Sequence, residues 1–176
     1  KHPHKTFIPS LRDPHIFQLE ENKWGVLFST NLKHNDGSIS HGIGVSTSKD
    51  LINWTLQAPL QLPNLNPKLE LELPNLHILS NQLGKKTMVL ILTAKDENEN
   101  FKLLFLKADD LYGSWTELDG DHQLLPKDIY GFNNIKGPKG NSSLTFFNTC
   151  AWILHPHSVD WHYDGNRINI DWSVVK

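Results

Sequence analysis

Short apolar runs, with polar residues alternating at their ends and turn residues between them, make up most of this sequence. In Leu11–Leu19 (LRDPHIFQL) the alternation begins after a proline, and the stretch reads as a strand with two charges, Arg12 and Asp13, at its mouth. Lys23–Thr30 and Gly42–Thr47 are rich in β-branched and aromatic residues and predict the next two strands. A fourth gathers around Trp54, after Ser48-Lys49-Asp50-Leu51-Ile52-Asn53. The succession then returns, with a strand after Pro74, others at Thr87–Ala94 and Lys102–Lys107, and a short one around Trp115. Asn35-Asp36-Gly37 and Asp119-Gly120 stand where hairpin turns are expected. No window shows a competing helical period, so the predicted class is all-β.

Self-comparison turns this succession into a repeat. A shift of 60 residues lays Arg12-Asp13-Pro14-His15-Ile16-Phe17 on Glu72-Leu73-Pro74-Asn75-Leu76-His77, and Asp50-Leu51 on Asp110-Leu111. A more worn third copy begins near Tyr130-Gly131-Phe132 and continues through Ser143–Phe147 to Arg167–Trp172. Four strands per unit at a period of about 40 to 60 residues is the signature of a propeller blade, because one such sheet buries its faces only on its neighbours. Residues 1–176 are thus expected to form a single partial β-propeller domain, with blade-like repeats at about 11–60, 71–120 and 130–176. Closed propellers carry roughly four to eight blades. The ring is expected to be completed by an upstream segment, by another chain or by a second copy.

Composition narrows the function classes. The chain has 176 residues and a net charge of -2, with no basic stripe, which argues against a nucleic-acid partner. Its longest apolar run, MVLILTA at 88–94, is too short to span a bilayer, so no membrane partner is expected. One cysteine, Cys150, allows neither an internal disulfide nor a cysteine zinc site, and reads as a buried apolar residue. His155, His157 and His162 with Asp160 complete no zinc spacing, so neither a metal nor any other cofactor is expected. Asn53-Trp54-Thr55 and Asn141-Ser142-Ser143 are formal glycosylation sequons, and Lys136–Gly140 reads as a turn rather than a phosphate loop. KHPHK at the start has no apolar signal core, and the chain reads as a processed product or a fragment.

Candidate chemistry lies at the openings of the first two repeats. Innermost strands of propeller blades converge near the axis, which brings Asp13 and Glu72 toward one pocket. Two carboxylates there suit glycosidic cleavage, one protonating the leaving oxygen and one stabilising an oxocarbenium-like centre. Arg12 can bind sugar hydroxyls or hold a carboxylate, and partial desolvation beside Leu71, Leu73 and Pro74 would raise the Glu72 pKa as a general acid requires. His15 and His77 follow the two motifs and read as supporting residues. Trp24 and Trp54 can stack on sugar faces, although tryptophans at repeated positions also serve packing. The same residues admit structural readings: Asp13 as a turn cap paired with Arg12, and Glu72 as one of an alternating pair with Glu70 on a solvated face.

RDPHIF, a strand with Lys23-Trp24, then GIGVSTSKDLINW and LELPNLHIL, together resemble glycoside hydrolase family 32, the invertase and fructosidase group of five-bladed propellers. The resemblance covers residues 11 to about 136. It implies a carbohydrate substrate with a fructofuranosyl bond of the sucrose or fructan type. It assigns Asp13 as transition-state stabiliser, with Arg12 beside it, and Glu72 as general acid/base; Arg12, His15 and Trp24 are the candidate substrate-binding residues. The family's nucleophilic aspartate lies upstream of the Arg-Asp-Pro motif, and KHPHKTFIPS contains no carboxylate. As given, the chain is therefore not expected to complete a retaining double displacement by itself. Asp36, Asp96 and Asp128 stand in turn-like contexts and read as solvated turn residues. Two other readings fit the same residues: a family 43-like arabinanase or xylosidase, and a carbohydrate-binding fragment without catalysis.

Overall fold

The computed structural model describes residues 6–80, 85–118, 129–136, 142–148, 153–163 and 168–170. Asp119-Gly120, Asp128, the loop 137–140, Asn141, Cys150 and the side chains of His155, His157, Asp160 and His162 lie outside the described residues. Every described element is a β-strand. Three four-stranded antiparallel sheets follow one another along the chain. The first holds β1 (Thr6–Glu20), β2 (Lys23–Lys33), β3 (Ile39–Ser48) and β4 (Trp54–Leu56) in sequence order. The second holds β5 (Glu70–Ser80), β6 (Lys86–Lys95), β7 (Phe101–Ala108) and β8 (Thr116–Glu117). The third holds β9 (Ile129–Lys136), β10 (Ser142–Asn148), β11 (Ile153–Tyr163) and β12 (Ile168–Ile170). Among the described residues no helix is long and apolar enough to cross a membrane.

The 60-residue repeat has a structural counterpart in the strand register. In the first sheet Arg12 pairs with Ser29 and His15 with Leu27, so β1 spends one residue more than β2 between the two pairs. In the second, Glu72 pairs with Thr93 and Asn75 with Ile91, which places the same bulge at the equivalent residues. Each bulge holds a left-handed residue, Asp13 at φ 55° and Leu73 at φ 52°. Each is followed by proline, whose missing N–H is tolerated where the ladder is interrupted. One expectation is corrected here. The strands do not open after the prolines: β1 begins at Thr6 and β5 at Glu70, and both motifs sit at bulges inside them.

Alternation gives each sheet two faces, and the inner ones make the core. Leu27, Ile43 and Val45 of the first sheet pack on Leu71, Leu76, Leu90, Leu92, Leu104 and Leu106 of the second, all nearly or fully buried. The connection 57–69 seals one edge of this layer. Its Gln57 and Leu60 amides donate to the Val45 and Ile43 carbonyls, and Leu60 and Leu69 enter the same cluster. The turns after β3 and β7 also match. Asp50 Oδ1 accepts the Ile52 amide and Asp110 Oδ1 the Tyr112 amide, both at two residues' distance along the chain. Trp54 Nε1 donates to the Leu51 carbonyl at 3.2 Å and Trp115 Nε1 to that of Leu111 at 3.2 Å. Trp115 is buried in the core, whereas Trp54 is half-exposed. Both tryptophans close their own turns.

Candidate functional site

A bulge re-aims the side chains on either side of it, and the matched bulges of β1 and β5 turn their charged residues toward one another. Arg12 shares its sheet face with Ser29 and Ile43, the face packed on the second sheet. From there its guanidinium reaches carboxylates of both sheets. Nη2 donates to Glu70 Oε1 and lies 3.2 Å from Glu72 Oε1, while Nε is 3.8 Å from Asp13 Oδ2. Asp13 Oδ2 also accepts the Leu73 amide at 3.3 Å, so the left-handed residue of one bulge is tied to that of the other. Asp13 and Glu72, expected to converge, are both in reach of one guanidinium.

Glu72 is only 8% exposed. It does not lie on a solvated face with Glu70, as the alternation alone allowed. The phenol of Tyr130, on β9 of the third sheet, donates to Glu72 Oε2 at 2.7 Å. Burial pushes the Tyr130 hydroxyl well above the ordinary phenol range, and the adjoining Glu72 carboxylate adds to this, so the group stays protonated and donating. Phe101 packs edge-on against the Tyr130 ring, with centroids 4.8 Å apart. Glu72 therefore receives Arg12 from one neighbouring sheet and Tyr130 from the other.

The flanking groups are set by their surroundings. Burial favours the neutral form of Glu70, but the hydrogen bond and charge of Arg12 outweigh it, with His41 and Lys95 adding, and the carboxyl falls below its usual range. Burial likewise opposes the charge on Arg12, and Glu70, Glu72 and Asp13 reverse the effect and raise its pKa. His15, on the same face as Arg12, lies 3.3 Å from the Leu76 carbonyl through Nε2 and stacks near Phe17. Burial lowers its pKa more than that bond raises it, which keeps the ring neutral and donating from Nε2. His15 thus braces the two sheets beneath the carboxylates. Opposite Arg12 and Glu72, the hydroxyls of Ser29 and Thr93 are buried with no hydrogen-bond partner among the described residues.

Trp24 is not brought into this cluster. It pairs with Gln18 and Ser48 at the other end of β2, about 16 Å along the strand from Ser29. Glu70 and Tyr130 are the residues that the sequence reading missed. Glu70 had a signal, its i, i+2 spacing from Glu72 on one strand face. Tyr130 belongs to the worn third repeat, where nothing local marks a partner for Glu72. Asp36 and Asp96 are turn residues: Asp36 Oδ1 accepts the Ser38 amide at 2.9 Å, and Asp96 Oδ1 those of Asn98 and Asn100 at 2.8 and 2.9 Å. Among the described residues no cluster of His, Cys, Asp or Glu is placed to hold a metal ion.

The described residues thus form an antiparallel all-β fold in which one guanidinium bridges carboxylates at matched strand bulges. Residues 1–148 match the glycosyl hydrolases family 32 N-terminal domain, and the chain belongs to that family. Several solved glycosidases share the fold. A family 43 β-1,3-galactosidase solved with galactodeoxynojirimycin superposes with TM-score 0.62 at 10% identity, over 91% of this chain and 61% of that one. A family 43 enzyme of Xanthomonas citri complexed with xylose gives 0.57 at 11% identity, over 95% of this chain and 54% of that one. A xylan β-1,4-xylosidase of Bacillus halodurans C-125 gives 0.53 at 14%, over 95% and 31%. The chain therefore spans about three fifths of the galactosidase and less of the other two. No curated protein matches it.

Proposed function

We propose that the three sheets are blades of a five-bladed β-propeller glycosidase acting on fructofuranosyl bonds, in which Glu72 is the general acid/base and Asp13 the transition-state stabiliser. The observation that carries this reading is the shared guanidinium: Arg12 lies within ion-pair distance of Asp13 and Glu72 at two matched bulges. Glu72 delivers a proton to the leaving oxygen, and the Tyr130 hydroxyl fixes the plane of its carboxyl group. Asp13, oriented by the Leu73 amide, places negative charge beside the positive charge developing at the anomeric carbon. Arg12 aligns both carboxyl groups and binds sugar hydroxyls where its exposed edge allows. A retaining displacement needs a further carboxylate as nucleophile, which the residues before Leu11 do not supply. In this reading it comes from another part of the complete protein.

Fructose release from sucrose or inulin is the test. Release by the protein that disappears in Glu72→Gln supports the assignment, and release that survives the substitution refutes it. Sugar binding without release, abolished by Arg12→Met, favours a carbohydrate-binding role for the chain. One observation favours a second substrate class: solved structures with this fold include β-xylosidases. Release of xylose or arabinose in place of fructose would move the assignment there.

A further inference from the structure

Of the carboxylates gathered around the Arg12 guanidinium, Glu70 is the one to which the proposed chemistry gives no part. It precedes Glu72 by two residues on β5. The two pair with Lys95 and Thr93 of β6 in one register, so both side chains stand on the same face of the second sheet. Their Cα atoms are about 7 Å apart, the span of one sugar ring with its hydroxyls. Exposure rises along that face, from 11% at the Glu72 side chain to 29% at that of Glu70. Glu72 is therefore the inner carboxylate and Glu70 the outer one.

Arg12 ties the two together without saturating Glu70. Its Nη2 donates to Glu70 Oε1 and lies 3.2 Å from Glu72 Oε1. Glu70 Oε2 accepts no hydrogen bond among the described residues. Arg12 keeps the carboxyl ionised against the effect of burial, so this oxygen offers a charged acceptor, and bonds to such acceptors are stronger than neutral ones. Lys95, the ladder partner of Glu70, is 27% exposed along its side chain. Its ammonium carries three donors and lies 3.2 Å from Glu99 Oε1 and 5.9 Å from the centroid of the half-buried Phe101 ring. Acceptor and donor thus stand side by side at the open end of the strand face, as a polyhydroxylated group requires. Position decides which part of a substrate meets them. Glu72 addresses the leaving oxygen and Asp13 the anomeric carbon, so the leaving group has the solvent side of Glu72 left to it, where Glu70 stands.

We infer that Glu70 is a specificity-determining residue that accepts hydroxyls of the leaving sugar. This rests on the glycosidase reading above and names the residue that recognises the leaving side of the same bond. Binding, rather than turnover, tests it on the chain as it is. Dissociation constants are measured by titration calorimetry for sucrose and for methyl β-D-fructofuranoside, which share the fructosyl ring and differ in the leaving group. The unmodified protein is expected to bind sucrose more tightly. Glu70→Gln keeps the shape of the side chain and removes its charge. It should weaken sucrose binding about tenfold or more, as loss of a charge-assisted hydrogen bond implies. The methyl fructoside affinity should stay nearly unchanged, which also shows that the variant is folded. An equal loss for both ligands overturns the inference, because Glu70 then acts through Arg12 on the fructosyl ring. Unchanged affinity for both, or no sucrose advantage in the unmodified protein, overturns it too. In all three cases the unmodified protein still binds the methyl fructoside, and the fructosyl reading stands. Failure of both fructosides to bind, where xylobiose and methyl β-D-xylopyranoside do, removes the fructosyl reading, and the same comparison with those two ligands decides Glu70. Failure of every sugar to bind overturns both.

Discussion

Replacing Arg12 by methionine separates the electrostatic part of this site from its packing. Methionine keeps most of the aliphatic stem and removes the charge. Arg12 is 37% exposed along its side chain, Glu70 29% and Glu72 11%. The Glu70 pair is partly solvated and is worth about 1 kcal/mol. Glu72 is nearly buried, and stripping the cation from a buried carboxylate costs up to about 3–5 kcal/mol. Tyr130 still donates to Glu72 in the variant, so the lower part of that range applies. The expected loss at pH 7 is about 4 kcal/mol at most, less where solvent screens the partly exposed guanidinium.

Its pH dependence identifies the cause. Glu70 titrates lower in the folded chain than its unperturbed value of 4.5, chiefly because Arg12 overcomes the effect of burial. A depressed folded pKa contributes stability that is complete above the unfolded value and is lost as pH falls through the folded one. Arg12→Met removes that contribution, so its deficit should be largest at neutral pH and shrink below about pH 4.5. Urea unfolding at pH 7 and at pH 3.5, with the double variant Arg12→Met/Glu70→Gln alongside, measures both quantities. The double variant should lose clearly less than the sum of the single losses. An equal deficit at both pH values, or strict additivity with Glu70→Gln, would refute the shared-guanidinium account.

Other expectations follow from single contacts. Tyr130→Phe deletes a bond to a buried carboxylate and should cost about 1.5–3 kcal/mol in thermal or urea unfolding; a neutral result would show that the phenol is not bonded to Glu72. In the unmodified protein the raised Tyr130 pKa contributes stability that is whole below the phenol's ordinary value of 10 and is lost as pH rises toward the folded one. Burial raises Tyr112 as well, so absorbance titration at 295 nm should show less tyrosine ionising near pH 10 in the native protein than in urea, and Tyr130→Phe should remove part of that difference. Thr93→Val replaces a buried hydroxyl that has no partner among the described residues and should be neutral or stabilising by about 1 kcal/mol; clear destabilisation would reveal a bond to that hydroxyl. A methyl group at Gly25 would meet the buried Phe17 ring, so Gly25→Ala should cost about 1–3 kcal/mol. The companion change Phe17→Leu should restore part of that loss, and no restoration would place the strain elsewhere.

What the sequence makes legible is what local chemistry repeats. Asp50 and Asp110 each cap a turn, and Trp54 and Trp115 each close one, so the same residue types recur at nearly the same offset and the repeat is visible without a structure. The strands of the first two sheets were legible for a similar reason, since their apolar runs answer to burial between two layers. The extent of β1 was not. A proline normally marks an edge or a beginning, and only pairing with Ser29 and Leu27 shows the chain passing through it at a bulge. Arg12, Asp13 and Glu72 could be selected from the sequence. Tyr130 could not, because its role depends on how the third sheet meets the second, which no residue spacing encodes.

The bulges also account for the inexact equivalence of the two motifs. In the 60-residue alignment Arg12 matches Glu72, and Asp13 matches Leu73, so opposite charges occupy equivalent positions on successive sheets. Identical residues there would set like charges toward each other across the interface. The alternation instead lets the side chain at the first bulge reach the one at the second. The left-handed position is then filled differently in each. Aspartate tolerates that conformation and uses its carboxylate to accept the neighbouring bulge's amide. Leucine does not tolerate it readily, and a bulky residue held there costs on the order of 1–3 kcal/mol. Leu73 is held by that amide bond on one side and by Pro74 and the paired strand on the other. Strain kept at this residue sets the direction of Glu72, the residue before it. Asp13→Ala should therefore disturb Glu72 as well as remove its own charge. In a sugar-binding assay it should cost more than Asp13→Asn, which retains an oxygen for the Leu73 amide. Equal losses in the two variants would show that the charge alone matters and that the bulges are not coupled through this bond.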